Sequence, residues 1–354
     1  MFNILLICLI TIYYFRKVYV KKHKFWTKQP VSRTDNKSIG LIAYNPRFNI
    51  NLYNKYKFKF IKVNQNTIDF IDMHFSDYNK YNYRYLYNSL NQKNCYNIGL
   101  YLFNNLIGFI HAKPVQLLLD NKYLDVFYVD FLCVHKNYRN NNLAVYLISY
   151  LINQCNSQQI FIFKKDNNKL PFNYLNKTNY YYNFIEKYEK KKIKKNIILL
   201  DNNNKDIINK VYKFINLLKK DFVCVNLYNI EYFMKNYYYN NSKNIFVEFN
   251  EYNQIISVFV TVNNYFVYEK KKLMTLDIEN IYISSVNLNN TLLFDYLINY
   301  CQLEKIDIIT CIDNMHNTFF IKKYNLLKSM NLYYHMYNYH YKKLKNKAMC
   351  FNLL

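Results

Sequence analysis

The feature that most constrains how this chain can fold is that its two halves repeat one order of elements. "KFKFIKVNQNTIDFIDMHF" (Lys57–Phe75) predicts a short strand, a polar turn and a helix carrying Ile68, Ile71, Met73 and Phe75. "NIILLDNNNKDIINKVYKFI" (Asn196–Ile215) repeats that plan with Ile207, Ile208, Val211, Phe214 and Ile215 at helical spacing. A hairpin follows in each half. "YNIGLYLFNNLIGFIHA" (Tyr96–Ala112) turns at Asn104–Asn105, and "NIFVEFNEYNQIISVFVTV" (Asn244–Val262) turns near Asn250–Asn253. Each half then runs strand, loop, helix, strand. The first has Val126–Val134, Leu143–Asn153 and Ile160–Phe163; the second has Asn280–Val286, Thr291–Cys301 and Ile306–Thr310. The prediction is a duplicated α/β unit: a leader over residues 1–23, one lobe over 24–195 and a second over 196–354, joined in a mixed sheet with pseudo-twofold symmetry.

Composition limits what the lobes can bind. The 354 residues are 51% hydrophobic, enough to bury one large core or two ordinary ones. A formal charge of +25 suggests an anionic partner, but Lys, Asn, Tyr and Ile are enriched together while Gly falls to 3 and Pro to 4. AT-rich coding produces that bias throughout a chain, so the charge is discounted. No aromatic RNA-binding block or Cys/His zinc pattern accompanies it, and a nucleic-acid partner is not expected. The lysine runs at Lys190–Lys192 and Lys270–Lys272 are read as solvated loop or strand-end faces. Eight scattered cysteines without a C-x-x-C spacing point to thiols in a reducing, cytoplasmic setting and to no metal site. Phe2–Phe15 is uncharged and precedes Arg16, Lys17, Lys21 and Lys22. It falls short of the roughly 18 residues of a spanning helix, and its basic flank lies on the wrong side for a signal peptide. A membrane-tethering segment and an apolar leader packed on the fold both remain open.

Five motifs, in order and with compatible spacing, make the resemblance specific. They are "KFWTKQPV" (Lys24–Val31), "LIGFIHAKP" (Leu106–Pro114), "DFLCVHKNYR" (Asp130–Arg139), "CIDNMHNTFF" (Cys311–Phe320) and "NLYYHMYNY" (Asn331–Tyr339). The chain resembles the glycylpeptide N-tetradecanoyltransferase (N-myristoyltransferase) family, whose fold is two tandem GNAT-like acyltransferase lobes. The resemblance implies transfer of myristate from myristoyl-CoA to the α-amine of an N-terminal glycine, with myristoyl-CoA as co-substrate and no permanently bound cofactor or metal.

That reaction needs a base, an oxyanion site and a groove for a saturated chain. An α-amine with an ordinary pKa of about 8 is mostly protonated at neutral pH and must lose a proton before attack. By resemblance the base is the α-carboxylate of Leu354, and the oxyanion donors are the backbone N–H groups of Phe131 and Leu132. The family's acyl-CoA contacts map onto Lys24, Phe25, Trp26, Phe131, Leu132, Cys133 and Val134. Its phosphate-binding loop and helix start map onto Arg139, Asn140, Asn142, Leu143 and Ala144. Peptide contacts map onto Asp77, Tyr83, Tyr85, Tyr87, Tyr282 and Asp313. The departures are specific. Asn140, Asn141 and Asn142 stand where Ser, Lys and Arg are usual, Asp130 replaces Asn, and Lys165 and Asn167 stand near the family's Thr and Gly. These losses keep open a second reading, a catalytically weak relative that binds acyl-CoA or an acylated peptide as a scaffold.

Overall fold

The structure is a computed structural model. It describes residues 25–36, 38–43, 48, 55–76, 79–155, 160–191, 196–201, 204–239, 243–284 and 292–350. Phe2–Phe15, Lys24, Asp77 and Leu354 lie outside the described residues.

The first half of the chain forms β1 (Gly40–Leu41), β2 (Tyr56–Phe60), α1 (Gln65–His74), β3 (Asn79–Lys80) and α2 (Tyr83–Leu90). It continues through β4 (Tyr96–Leu102), β5 (Asn105–Leu119), β6 (Lys122–Val134), α3 (Leu143–Gln154), β7 (Ile160–Asp166) and β8 (Asn176–Phe184). The second half forms β9 (Ile197–Leu199), α4 (Lys205–Lys219), β10 (Cys224–Leu227), α5 (Ile230–Phe233), β11 (Lys243–Phe249), β12 (Ile255–Tyr268) and β13 (Lys271–Ile283). It ends with α6 (Leu293–Leu303), β14 (Ile308–Ile312), α7 (Asn317–Lys323), β15 (Leu327–Tyr337), β16 (Tyr339–His340) and β17 (Met349–Cys350).

Within the described residues one mixed sheet of 15 strands spans both lobes. The first lobe orders β2-β4-β5-β6-β7-β15, and the second orders β9-β11-β12-β13-β14-β8. Within each of these six-strand orders only the pair flanking the crossover helix is parallel, β6 with β7 and β13 with β14; at the sheet's end β10 and β17 are parallel too. The predicted duplication is therefore a symmetric exchange. β8, from the first half, completes the second lobe, while β15, from the second half, completes the first. The two exchanged strands pair antiparallel, Leu332 beside Thr178, and so weld the lobes together. The boundary expected near residue 195 falls between β8 and β9 in sequence, and the strand pairing runs across it.

Each crossover helix buries the stripe that its sequence encodes. Leu143, Leu147 and Leu151 of α3, one turn apart, are at most 3% exposed. α3 sits so close to β5 that a Cβ on Gly108 would meet Leu147 Cδ1 at 2.9 Å, and glycine is what lets the helix approach. α6, the second crossover helix, likewise buries Leu293, Leu297 and Cys301 at four-residue spacing.

The long hairpins differ from expectation. β6 starts at Lys122 rather than Val126, after a tight turn in which Asp120 and Asn121 have φ of 52° and 61°. β13 starts at Lys271 rather than Asn280, after Glu269 and Lys270 at 45° and 66°. Neither dipeptide is the Asn-Gly or Asp-Gly that marks such turns. The exposed lysines 270–272 cap this second hairpin, as expected of a strand-end face. No helix among the described residues is long and apolar enough to cross a membrane.

Candidate active site

The site grows from an irregularity in β6. Phe109 of β5 lies opposite Cys133 and His111 lies opposite Asp130, so β6 carries one residue more than β5 over this interval. Phe131 and Leu132 fall inside the bulge, and Phe131 takes a left-handed φ of 51°. A bulky residue holds that conformation only when its surroundings fix it. Here the Phe131 ring is packed by Phe75 at 5.3 Å, by Tyr81 edge-on at 5.7 Å and by His111 at 6.2 Å. The bulge turns backbone away from the ladder at the two positions expected to supply oxyanion donors. The Phe131 N–H donates to Asp130 Oδ1 at 2.8 Å, and Tyr128 Oη donates to Asp130 Oδ2 at 3.1 Å.

Below the bulge lies a buried polar row that the sequence reading missed. Asn97 Nδ2 donates to the Leu90 carbonyl at 2.9 Å, which fixes the amide so that Oδ1 faces His111 Nδ1 at 2.8 Å. Burial, with Lys113 nearby, pushes the His111 imidazole down to about 3. Lys113, two residues on, is 6% exposed, and its ammonium lies 5.5 Å from the centre of the Tyr128 ring. Burial and then the neighbouring Lys243 push the Lys113 ammonium down to about 8. Lys243 is itself paired with Glu279 at 2.6 Å, both side chains nearly enclosed. The signal available in the sequence was a lysine inside the apolar alternation of "FIHAKPV".

Above the bulge the chain enters α3. Asn140 and Asn142 take left-handed φ of 68° and 58°, a conformation asparagine tolerates. Asn142 makes no side-chain cap, so the first N–H groups of α3, at Leu143 and Ala144, face outward where the helix dipole is positive. Arg139 Nη2 donates to the His74 carbonyl at 2.8 Å and Nε to the Val134 carbonyl at 3.4 Å, so it braces the end of α1 against β6. The His74 and His135 rings lie 4.3 Å apart. Burial, then His135, Lys136 and Arg139, push His74 down to about 4. Lys136 and Arg139 thus bring positive charge to the approach to α3.

The remaining expected residues divide into groups. Trp26 packs on Phe25, Phe163 and Phe172 at 4.9, 6.1 and 5.0 Å, and its segment is held by Arg33 Nη2 donating to the Thr27 carbonyl at 2.8 Å. Cys133 is buried, and burial pushes its thiol up, which suits a lining residue and not a nucleophile. Tyr83 and Tyr87 stack at 6.0 Å on the exposed face of α2, while Tyr85 points inward, 2% exposed, and stacks on Tyr81 at 6.0 Å. The three tyrosines therefore do not share one surface. Tyr282 is enclosed in the core of the second lobe. Asp313 accepts the Asn179 N–H at 2.7 Å and Asn179 Nδ2 at 2.5 Å, a clamp on β8.

A cavity of about 520 Å³ opens beside the polar row, between α2, β5, β10 and α5. Lys113, Gln116, Asn226, Tyr232 and Lys243 are among its walls.

Comparison with known proteins places this geometry. A family profile described as "Myristoyl-CoA:protein N-myristoyltransferase, N-terminal domain" matches residues 47–164, the stretch that contains the bulge and the α3 start. A protein of Amsacta moorei entomopoxvirus, described as a candidate glycylpeptide N-tetradecanoyltransferase, is 28% identical over 298 residues, covering 77% of this chain and 91% of that one. The glycylpeptide N-tetradecanoyltransferase of Saccharomyces cerevisiae is 27% identical over 170 residues, covering 41% of this chain and 37% of that one. The crystal structure of Saccharomyces cerevisiae N-myristoyltransferase with bound myristoyl-CoA superimposes with a TM-score of 0.78 at 17% identity, over 94% of this chain and 97% of that chain, and thereby confirms the fold. Motifs, fold and relatives agree in what the chain is similar to: N-myristoyltransferases, whose N-terminal domain profile matches residues 47–164 and whose fold the chain shares.

Proposed function

We propose that this protein transfers myristate from myristoyl-CoA to the α-amine of an N-terminal glycine on protein substrates. The observation that carries the reading is the β6 bulge at Phe131–Leu132, which lies between a polar row on one side and a cation-rich helix start on the other. The amine nitrogen bonds to the thioester carbonyl carbon, the C–S bond breaks, and the coenzyme leaves as its thiol. Phe131 and Leu132 N–H groups stabilise the transient oxyanion. The Leu143 and Ala144 N–H groups, with Arg139, hold the coenzyme phosphates. The Leu354 α-carboxylate takes the amine proton, a role carried by the resemblance alone. The scaffold alternative is less favoured, because both compared sequence relatives carry the transferase name.

Two finer statements belong to the same proposal. The seven described cysteines are free thiols, which suits a reducing, cytoplasmic setting. Phe2–Phe15 tethers the protein to a membrane surface, and deletion of residues 1–20 is expected to move it to the soluble fraction. The proposal as a whole is tested by incubating the protein with myristoyl-CoA and Gly-initiated peptides and weighing the products. Peptide gaining a myristoyl amide supports it, and a silent panel rejects it.

A further inference from the structure

β6 lays out three stations in line. The helix start lies just beyond Val134, the bulge sits at Phe131–Leu132, and Lys113 lies directly across from Tyr128. From Val134 back to Tyr128 is six strand positions, roughly 20 Å at about 3.3 Å per residue. Lys113 is therefore too far away to serve a group held at the start of α3. Lys113 lines the cavity of about 520 Å³, and the residue as a whole is only 6% exposed. Among the described residues it makes no hydrogen bond or ion pair. Lys243, the other cation in the wall, is already neutralised by Glu279 at 2.6 Å. Asp130 and Glu279 stabilise the Lys113 charge only through space, and both are otherwise engaged, Asp130 by Tyr128 and Glu279 by Lys243, so a carboxylate brought into the cavity would give this buried ammonium a direct partner.

The walls, though they include Pro114, Val115 and Leu227, are a poor match for an acyl chain. Lys113, Gln116, Asn226, Asn229 and Tyr232 present ammonium, amide and hydroxyl groups where hydrocarbon would have to desolvate them. The occupant these walls fit is polar, anionic and long enough to reach from the bulge.

We infer that this cavity binds a carboxylate side chain of the acyl-acceptor peptide, paired with Lys113, and so selects Gly-initiated substrates with an acidic residue a few positions downstream. The inference rests on the transferase reading above. Tyr128 is three positions from the bulge, about 10 Å, which an extended peptide spans in about three residues, so Asp or Glu is expected at about the third to fifth position.

The experiment compares Gly-initiated peptides carrying Glu or its isostere Gln at positions three, four and five, with the full-length protein and myristoyl-CoA. At one of these positions Glu is expected to exceed Gln by about tenfold in kcat/KM, mostly through KM. In Lys113→Met that ratio falls to about one, and in Lys113→Arg it persists. Equal Glu and Gln peptides at all three positions, or a preference that survives Lys113→Met, overturns the inference. Peptide binding in the presence of a non-hydrolysable myristoyl-CoA thioether is measured in parallel. Absent turnover with a retained Glu-over-Gln binding preference rejects the transferase reading and keeps the site. Turnover without the preference keeps the reading and rejects the site.

Discussion

The Asp130 carboxylate accepts the backbone N–H of Phe131 at 2.8 Å, so the residue before the bulge occupies one of the two donors assigned to the oxyanion. A negative charge at that place competes for the donor and repels an oxyanion forming beside it. Two unit charges about 5 Å apart at an effective dielectric constant of about 20 interact by roughly 3 kcal/mol. Asp130→Asn keeps the shape and removes the charge, and it is expected to raise kcat by about tenfold or more in single-turnover assays. A collapse of kcat to background would instead identify Asp130 as the base.

Arg139 has a structural bond to the His74 carbonyl and an assigned role at the coenzyme phosphates. Arg139→Ala is expected to weaken myristoyl-CoA binding by about 1–3 kcal/mol in calorimetry, the worth of a charge-assisted hydrogen bond. Raising salt should shrink the difference between wild type and variant. A variant that binds the coenzyme as tightly as wild type removes Arg139 from the site.

The buried pair Lys243–Glu279, at 2.6 Å, can be broken from either end. Glu279→Gln leaves Lys243 charged beside Lys113 and should cost about 3–5 kcal/mol in denaturant unfolding. The double variant Lys243→Met/Glu279→Leu should recover most of that loss. Additive losses would mean that the two charges do not act as a pair.

Stability should also depend on pH through imidazoles that are buried neutral. Burial lowers His111 to about 3 and His335 to about 4, against about 6.5 when unfolded. The folded state therefore binds fewer protons than the unfolded state in between. Their contribution is complete above about pH 6.5 and is lost as pH falls toward about 4 for His335 and about 3 for His111. At pH 5 each costs up to about 2 kcal/mol, since one pH unit corresponds to about 1.4 kcal/mol. Denaturant midpoints at pH 7.5 and 5.0 should show the drop, and His111→Asn should reduce it. An unchanged drop in that variant would assign the pH dependence elsewhere.

Much of this architecture was legible because periodicity reports burial. Leu143, Leu147 and Leu151 announce α3, and the repeated order of elements announces the duplication. The exchange of β8 and β15 was not legible, since local patterning says which face of a strand is buried and nothing about which neighbour it pairs with. The hairpin turns at Asp120–Asn121 and Glu269–Lys270 lacked the glycine that flags them. In the site, Phe131 and Arg139 were placed by motif. Tyr85 was grouped with Tyr83 and Tyr87, although α2 turns it to the opposite side. Lys113 was read only as part of a motif, because a lysine in a basic chain carries little signal until the fold shows it enclosed.

The central claim, acyl transfer to an N-terminal glycine, is tested most directly by a single-turnover experiment. Excess protein is loaded with myristoyl-CoA and mixed with a Gly-initiated peptide, or with the same peptide starting in Ala, and the products are resolved by mass spectrometry. The account predicts one myristoyl amide on the glycine α-amine, one free CoA thiol per acyl group moved, and little or no product from the Ala peptide. Bound myristoyl-CoA that persists without transfer to any Gly-initiated peptide, or equal acylation of both peptides, would contradict it.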